Sequence, residues 1–183
     1  ANFPIGITEG GFDIIIGDTR TKTIPQSTEP HVAKLFKAEQ VFFWYVCLTD
    51  NCFYSPTKNQ TCDIDQSILS AAYETNEVIN IAKPSNHERY SFVIDSEVRP
   101  TLYIPLGDEE NHVYAVIQVF HPVGKLFLTV DFSTAITLSK KFECFSHFLF
   151  DTERFTQTAN DIACAREKNA IAYLIEQLQY HFN

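Results

Sequence analysis

Apolar and polar positions follow two different periods along the chain, and the change of period marks the elements. The run Val41-Phe42-Phe43-Trp44-Tyr45-Val46-Cys47-Leu48 is apolar at odd and even positions alike, so a strand built from it needs cover on both faces. Asp50-Asn51 supplies a turn, and Cys52-Phe53-Tyr54-Ser55, ahead of Pro56, reads as its partner strand. Thr101 to Leu106 and His112 to Phe120 make a second antiparallel hairpin around the polar stretch Gly107-Asp108-Glu109-Glu110-Asn111. In its second strand Val113, Ala115, Ile117 and Val119 face one way and Tyr114, Val116 and Phe120 the other, which predicts a central strand.

Helical spacing fills the intervals. Ser27-Thr28-Glu29-Pro30 offers capping hydroxyls followed by a first-turn proline, predicting a short helix through Leu35 and Phe36 to about Glu39. Asp63 or Asp65 caps a helix from Gln66 to Thr75 that aligns Ile68, Leu69, Ala72 and Tyr73, and a short strand Val78 to Ile81 follows. From Asp131 onward Ala135, Leu138, Phe142, Phe145 and Leu149 recur every three or four residues, and a last helix spans roughly Thr152 to Tyr180. Residues 1–26, with glycines around Phe12-Asp13-Ile14-Ile15-Ile16, predict a strand or loose hairpin. The order predicts an α+β fold: an antiparallel sheet of five or six strands, helices on both faces and long C-terminal helices.

Composition narrows the class. At 183 residues and 45% hydrophobic content the chain fits one domain, which buries roughly 70% of the surface its unfolded form exposes. The five cysteines are an odd set without C-x-x-C spacing and read as reduced thiols, which predicts a cytoplasmic setting. A net charge of -9, with Lys140-Lys141 as the longest basic run, argues against nucleic acid or an anionic membrane as partner. No apolar run has the length of a spanning helix, and residues 1–20 lack the signal-peptide pattern. A start at Ala1 with no methionine anywhere predicts a mature or excised piece of a longer protein.

Candidate chemistry is sparse. Cys144 and His147 lie three apart on a helix, but no second pair completes a tetrahedral set, so core packing is expected and no metal site. His31, His87, His112, His121 and His181 are scattered, and no glycine-framed nucleophile stands among them. The expectation is no catalytic residue, no enzyme and no cofactor. Asp108, Glu109 and Glu110 read as solvated turn residues, and Asn59-Gln60-Thr61 as a chance match to a glycosylation acceptor.

Three stretches carry a family resemblance. Ala71-Ala72-Tyr73-Glu74-Thr75-Asn76-Glu77-Val78-Ile79-Asn80-Ile81 looks like the pattern in which a GAF-domain helix ends in a turn and leads into "NI". Ser85-Asn86-His87-Glu88-Arg89-Tyr90-Ser91-Phe92-Val93-Ile94-Asp95 is similar to that family's "Y-x-D-x-R-F-x-x-x-V-D". Leu102-Tyr103-Ile104-Pro105-Leu106 and Val113-Tyr114-Ala115-Val116-Ile117-Gln118-Val119 resemble its last hairpin, "L-C-V-P-I" and "V-I-G-V-L-Q-L".

The resemblance covers residues 30–150, with 1–29 an N-terminal extension and 151–183 a C-terminal helix for dimerisation or relay. It implies a twisted sheet with terminal helices on one face and a ligand cavity under an irregular segment on the other. The candidate ligand-binding residues are Phe53, Ile81, Lys83, His87, Tyr90, Phe92, Thr101 and Tyr103. The function implied is a regulatory, sensory module that binds a small molecule and relays through its terminal helices, as a homodimer. The alternative is a non-binding dimerisation or interaction domain of a larger signalling protein. Three departures stand out: Lys83 where the family commonly has an acid, His121-Pro122 after the last strand, and a short Asp95–Thr101 stretch without the "T-G-F/Y" turn. The last predicts no tight binding of cyclic AMP or cyclic GMP. The cysteines are not spaced as in the sulfoxide-reducing GAF enzymes, and no bilin-attachment motif stands out.

Overall fold

The structure, a computed structural model, describes residues 24–144. Expectations that fall on the N-terminal strand, on Phe145, His147, Leu149 and His181, and on the last helix with its dimer contact lie outside the described residues. Within them the elements run α1 (Ile24–Phe36), β1 (Gln40–Cys47), β2 (Cys52–Ser55), β3 (Gln60–Asp63), α2 (Leu69–Thr75), β4 (Ile79–Ile81), β5 (Thr101–Gly107), β6 (Val113–Phe120) and α3 (Thr129–Cys144). The six strands form one antiparallel sheet in the order β3-β2-β1-β6-β5-β4. This is the α+β architecture that the pattern predicts, with β6 near the centre.

Two-sided burial follows from the alternation in β1 and β6. Val41, Phe43, Tyr45 and Cys47 join Leu102, Ile104, Ile117 and Val119 under α1 and α3, where Val32, Phe36, Ala135, Leu138 and Phe142 complete one core. Trp44 and Val46 turn to the other face and pack with Phe53, Tyr103 and Val116 against Leu69 and Ala72 of α2 and Ile68 just ahead of it. A sheet covered on both faces leaves its polar side chains no route to water, so any that remain inside need protein partners.

Several boundaries differ from expectation. The first described helix already includes Ile24, ahead of the proposed hydroxyl caps, and Ile24 is fully buried in the core. Ser27 and Thr28 are then buried helix residues, and Pro30 lies inside the helix. The Asn59-Gln60-Thr61 stretch leads into β3, a strand that the alternation did not show because it is only four residues long with Cys62 alone fully covered. Asn51, Asn59, Asn76 and Asn111 all take left-handed φ, at 52°, 50°, 52° and 65°. Asparagine tolerates that conformation, so these residues mark two hairpin turns, the end of α2 and the turn before β6. Asp108 is not a solvated turn residue. It is buried and accepts from Tyr114 OH at 2.7 Å and from the backbone N–H groups of Glu110 and His112 at 2.9 Å. Burial pushes its pKa up, but these donors outweigh burial and hold the carboxyl at about 2.

Where β2 ends, β1 continues without a partner on that side. Glu29 fills the gap: its Oε2 accepts from the Phe43 N–H at 2.8 Å, and its Oε1 accepts from the Thr57 hydroxyl. Desolvation raises the Glu29 pKa in spite of both bonds. Glu29→Ala is expected to leave the Phe43 N–H without its acceptor and to cost about 1–3 kcal/mol of unfolding free energy. Urea denaturation of the variant against the parent checks it.

Candidate functional site

The charged exception on the α2 face is Asp95, 6% exposed, which the segment joining β4 to β5 turns inward. Its Oδ1 accepts from Tyr103 OH at 2.8 Å, Ser67 Oγ at 2.9 Å and Gln118 Nε2 at 3.5 Å. Oδ2 accepts from the backbone N–H of Ser91 at 2.9 Å and of Ile68 at 3.4 Å. One carboxylate therefore ties together the irregular segment, the start of α2 and two central strands. It also does the work expected of Asp63 or Asp65 as a helix cap: α2 starts three residues later than expected, and its leading amides are served by Asp95 and by Ser67 Oγ, which accepts from Leu69 N at 3.1 Å.

Gln118 extends the cluster, accepting from Trp44 Nε1 at 3.0 Å and donating to the Ile94 carbonyl at 3.1 Å. Desolvation raises the Asp95 pKa, while the Ser91 N–H, Tyr103, Ser67 and Ile68 N–H pull it down without cancelling that effect. Burial, reinforced by the Asp95 charge, lifts the Tyr103 phenol well above its ordinary range and the Cys62 thiol to about 12. Cys62 is thus a thiol, not a thiolate, at neutral pH.

The expected ligand residues divide between the cluster and its surroundings. Tyr103 is central. Phe53 is buried, edge-on to Tyr73 of α2 with ring centres 5.9 Å apart. Thr101 is buried and bonded to the Arg99 carbonyl, and Ile81 lies opposite it across the β4–β5 pairing. His87 and Tyr90 are half-buried on the segment, and His87 Nδ1 accepts from the Arg89 N–H at 3.1 Å. Phe92 is 84% exposed and Lys83 stands exposed ahead of the Pro84–Asn86 turn, so neither side chain enters the cluster.

The sequence pattern did not single out Trp44, Lys58, Ser67 and Gln118 as site residues. A polar residue at position 118, inside an apolar strand, was the one available signal. The cation beside this face is Lys58 in place of Lys83, its Nζ 4.8 Å from the Phe42 ring centre and 5.7 Å from that of Trp44.

Two clefts open on the opposite side of the sheet. One, of about 500 Å³, lies between Val78 and the Phe132, Ile136 and Lys140 face of α3; the other, of about 450 Å³, lies at the end of α1 beside His121 and Leu128. The His121 ring stacks on Phe127 at 3.9 Å there, and burial lowers its pKa. Among the described residues no group of three metal-ligand side chains occurs, and no helix is long and apolar enough to cross a membrane.

Known structures share this fold. The chain is similar to the GAF domain of an Acinetobacter phosphoenolpyruvate-protein phosphotransferase, with 14% identity, 79% of this chain and 99% of that one covered, and a TM-score of 0.59. The GAF domain of the Coxiella burnetii phosphoenolpyruvate-protein phosphotransferase gives 13% identity, 87% and 96% coverage, and 0.59. The Neisseria meningitidis free methionine-R-sulfoxide reductase, solved with its substrate, gives 15% identity, 70% and 84% coverage, and 0.53. No family model and no curated protein matches the sequence. The chain has a GAF-like fold, as the motif resemblance implies. The expectation of a non-enzyme is corrected: free methionine-R-sulfoxide reductases from three organisms share this fold, so the fold itself carries catalysis.

Tyr103→Phe deletes one bond to a charged group and is expected to cost about 1.5–3 kcal/mol of stability. Because the folded-state pKa of Asp95 is raised, folded protein retains a proton that unfolded chain releases near pH 4. The contribution of this group to stability is full below that pH and falls as pH rises through the folded value. The stability difference between the parent and Asp95→Asn should therefore favour the parent more at acid pH than at pH 7, as urea midpoints will report.

Proposed function

We propose that this chain is a regulatory module that binds a small molecule between the Trp44–Tyr103 face of the sheet and the segment 82–100, and relays occupancy through its helices. The observation that carries the reading is the convergence of Asp95, Ser67, Tyr103 and Gln118 in the middle of an otherwise apolar sheet face. A few polar groups converging among aromatic walls is the usual composition of a ligand site, and buried charge is costly where packing alone is at stake.

The segment has the properties of a flap. Its regular structure is one short 3-10 turn, and it exposes Phe92, Val93 and Val98 to solvent at 84%, 54% and 49%. Asp95 holds it shut, so a ligand that offers donors or acceptors to Tyr103, Gln118 or Ser67 competes with the clasp and favours the open form. A route to the far side exists on the same strand: Tyr103 of β5 reaches Asp95, and two residues later the Pro105 carbonyl accepts from Ser139 Oγ of α3 at 2.7 Å.

Native mass spectrometry of the purified chain tests the reading directly. The expected result is a retained small molecule, or one taken up from a metabolite extract, that is lost in Tyr103→Phe. A chain that stays empty throughout refutes it. Cyclic AMP and cyclic GMP are not expected to bind below micromolar concentration, because the Asp95–Thr101 stretch is short and runs straight into the β5–β6 ladder, with the Pro100 carbonyl accepting from the His121 N–H at 2.9 Å. Calorimetric titration checks this.

A further inference from the structure

Cys47 is the last residue of β1 and Cys52 the first of β2, and the strand register sets them directly opposite one another across the hairpin. Opposite residues of an antiparallel pair point to the same face of the sheet. Both accordingly pack in the core under α1 and α3, each 0% exposed, and both are thiols. Cys62 does not share this place: it lies opposite Phe53 on β3 and packs into the other face, against α2.

Opposite Cα atoms in an antiparallel pair are about 4.5 or 5.5 Å apart, and a disulfide spans Cα separations of about 4.4–6.8 Å. Opposite Cβ atoms stand about 4.5–5.5 Å apart, so closing the bond draws them together by roughly an ångström. The hairpin end can give that much, because only residues 48–51 join the strands there and Leu48 is 70% exposed. The odd number of cysteines in the chain does not bear on this pair, since register rather than count brings it together.

We propose that Cys47 and Cys52 are a dithiol that exchanges with a low-molecular-weight disulfide of the glutathione class and closes an S–S bond across the end of the β1–β2 hairpin. The thiolate of one cysteine attacks a sulfur of the small disulfide, forms a mixed disulfide and releases one small thiol. The thiolate of the other then attacks the protein sulfur of that intermediate, closes the bond and releases the second small thiol. Two protein thiols lose two electrons and two protons, and the small disulfide takes them up as two thiols. The inference is independent of the ligand-site reading, since the pair lies on the opposite face of the sheet from Tyr103 and Asp95.

Burial sets when exchange happens. Neither sulfur is open to a disulfide in solution once α1 and α3 cover the hairpin, so the bond closes as the chain folds or when the hairpin end opens, and it is shielded from small reductants afterwards. Closure fixes residues 48–51, where the Asn51 carbonyl accepts from the Ile64 N–H at 3.1 Å just past β3.

The full chain is unfolded with reductant, refolded in mixtures of reduced and oxidised glutathione, and unfolded again with iodoacetamide present. Cutting ahead of Asp50 and after Lys58 places Cys47, Cys52 and Cys62 on three peptides for mass spectrometry. The Cys47 and Cys52 peptides are expected to stay joined in most chains refolded with equal amounts of the two glutathione forms, while Cys62 is alkylated. The bond should persist in Cys62→Ser and be missing from Cys47→Ala, and reductant should open it at least tenfold more slowly in folded chain than in denaturant. Because the pairing is read on the parent chain, a variant that fails to fold leaves the test intact. Cys47 and Cys52 both alkylated at every glutathione ratio, left carrying glutathione, or joined to another cysteine overturns the proposal, as does a bond that reductant opens equally fast in folded and unfolded chain.

Discussion

The desolvated carboxylate of Asp95 is the interaction on which the α2 side of the molecule depends. Moving such a group from water into a protein costs several kcal/mol after relaxation. Five donors converge on it and offset part of that cost. The upward direction of its pKa has desolvation as its largest cause. These bonds hold down a segment with little regular structure of its own.

Its donors come from separate parts of the chain. Ser67 and Ile68 lead into α2, Ser91 lies on the segment itself, and Tyr103 and Gln118 belong to strands paired directly with one another. All of them meet at the two oxygens of one carboxylate. The opposite face, packed under α1 and α3, meets the same strands through Ile104, Ile117 and the bond from Ser139 to Pro105. The β5–β6 pair is the element common to both faces. Gly107, at the bulge where this pair slips register, sits so close to the His112 carbonyl that an added Cβ would lie 2.9 Å from it, which fixes the end of the hairpin.

The chain's own pattern determined the sheet. Two-sided apolar runs such as 41–48 and 113–119 can only be central strands, because both faces must be dry, and the three-or-four spacing of Ala135, Leu138 and Phe142 can only be a helix laid along one of them. These are local regularities, and backbone geometry translates them directly into elements. The GAF-like motifs supplied the rest of the architecture, including Asp95 as the last residue of a recognisable stretch.

What tertiary structure alone decided is which polar groups meet. Asp95 and Ser67 are 28 residues apart, and Trp44 and Gln118 are 74 apart. No periodicity links such positions. Lys83 was the cation suggested by motif position, yet it faces water, while Lys58 is carried onto the aromatic face by a turn whose β3 strand was too short to be read. Phe92, an aromatic within a motif, points outward because the turn capped by Asp95 spends its inward positions on Ile94 and Asp95 themselves. Local sequence selects elements by burial averaged over a face. The placement of a single charge depends on the sum of contacts from distant segments, and only the folded chain supplies that sum.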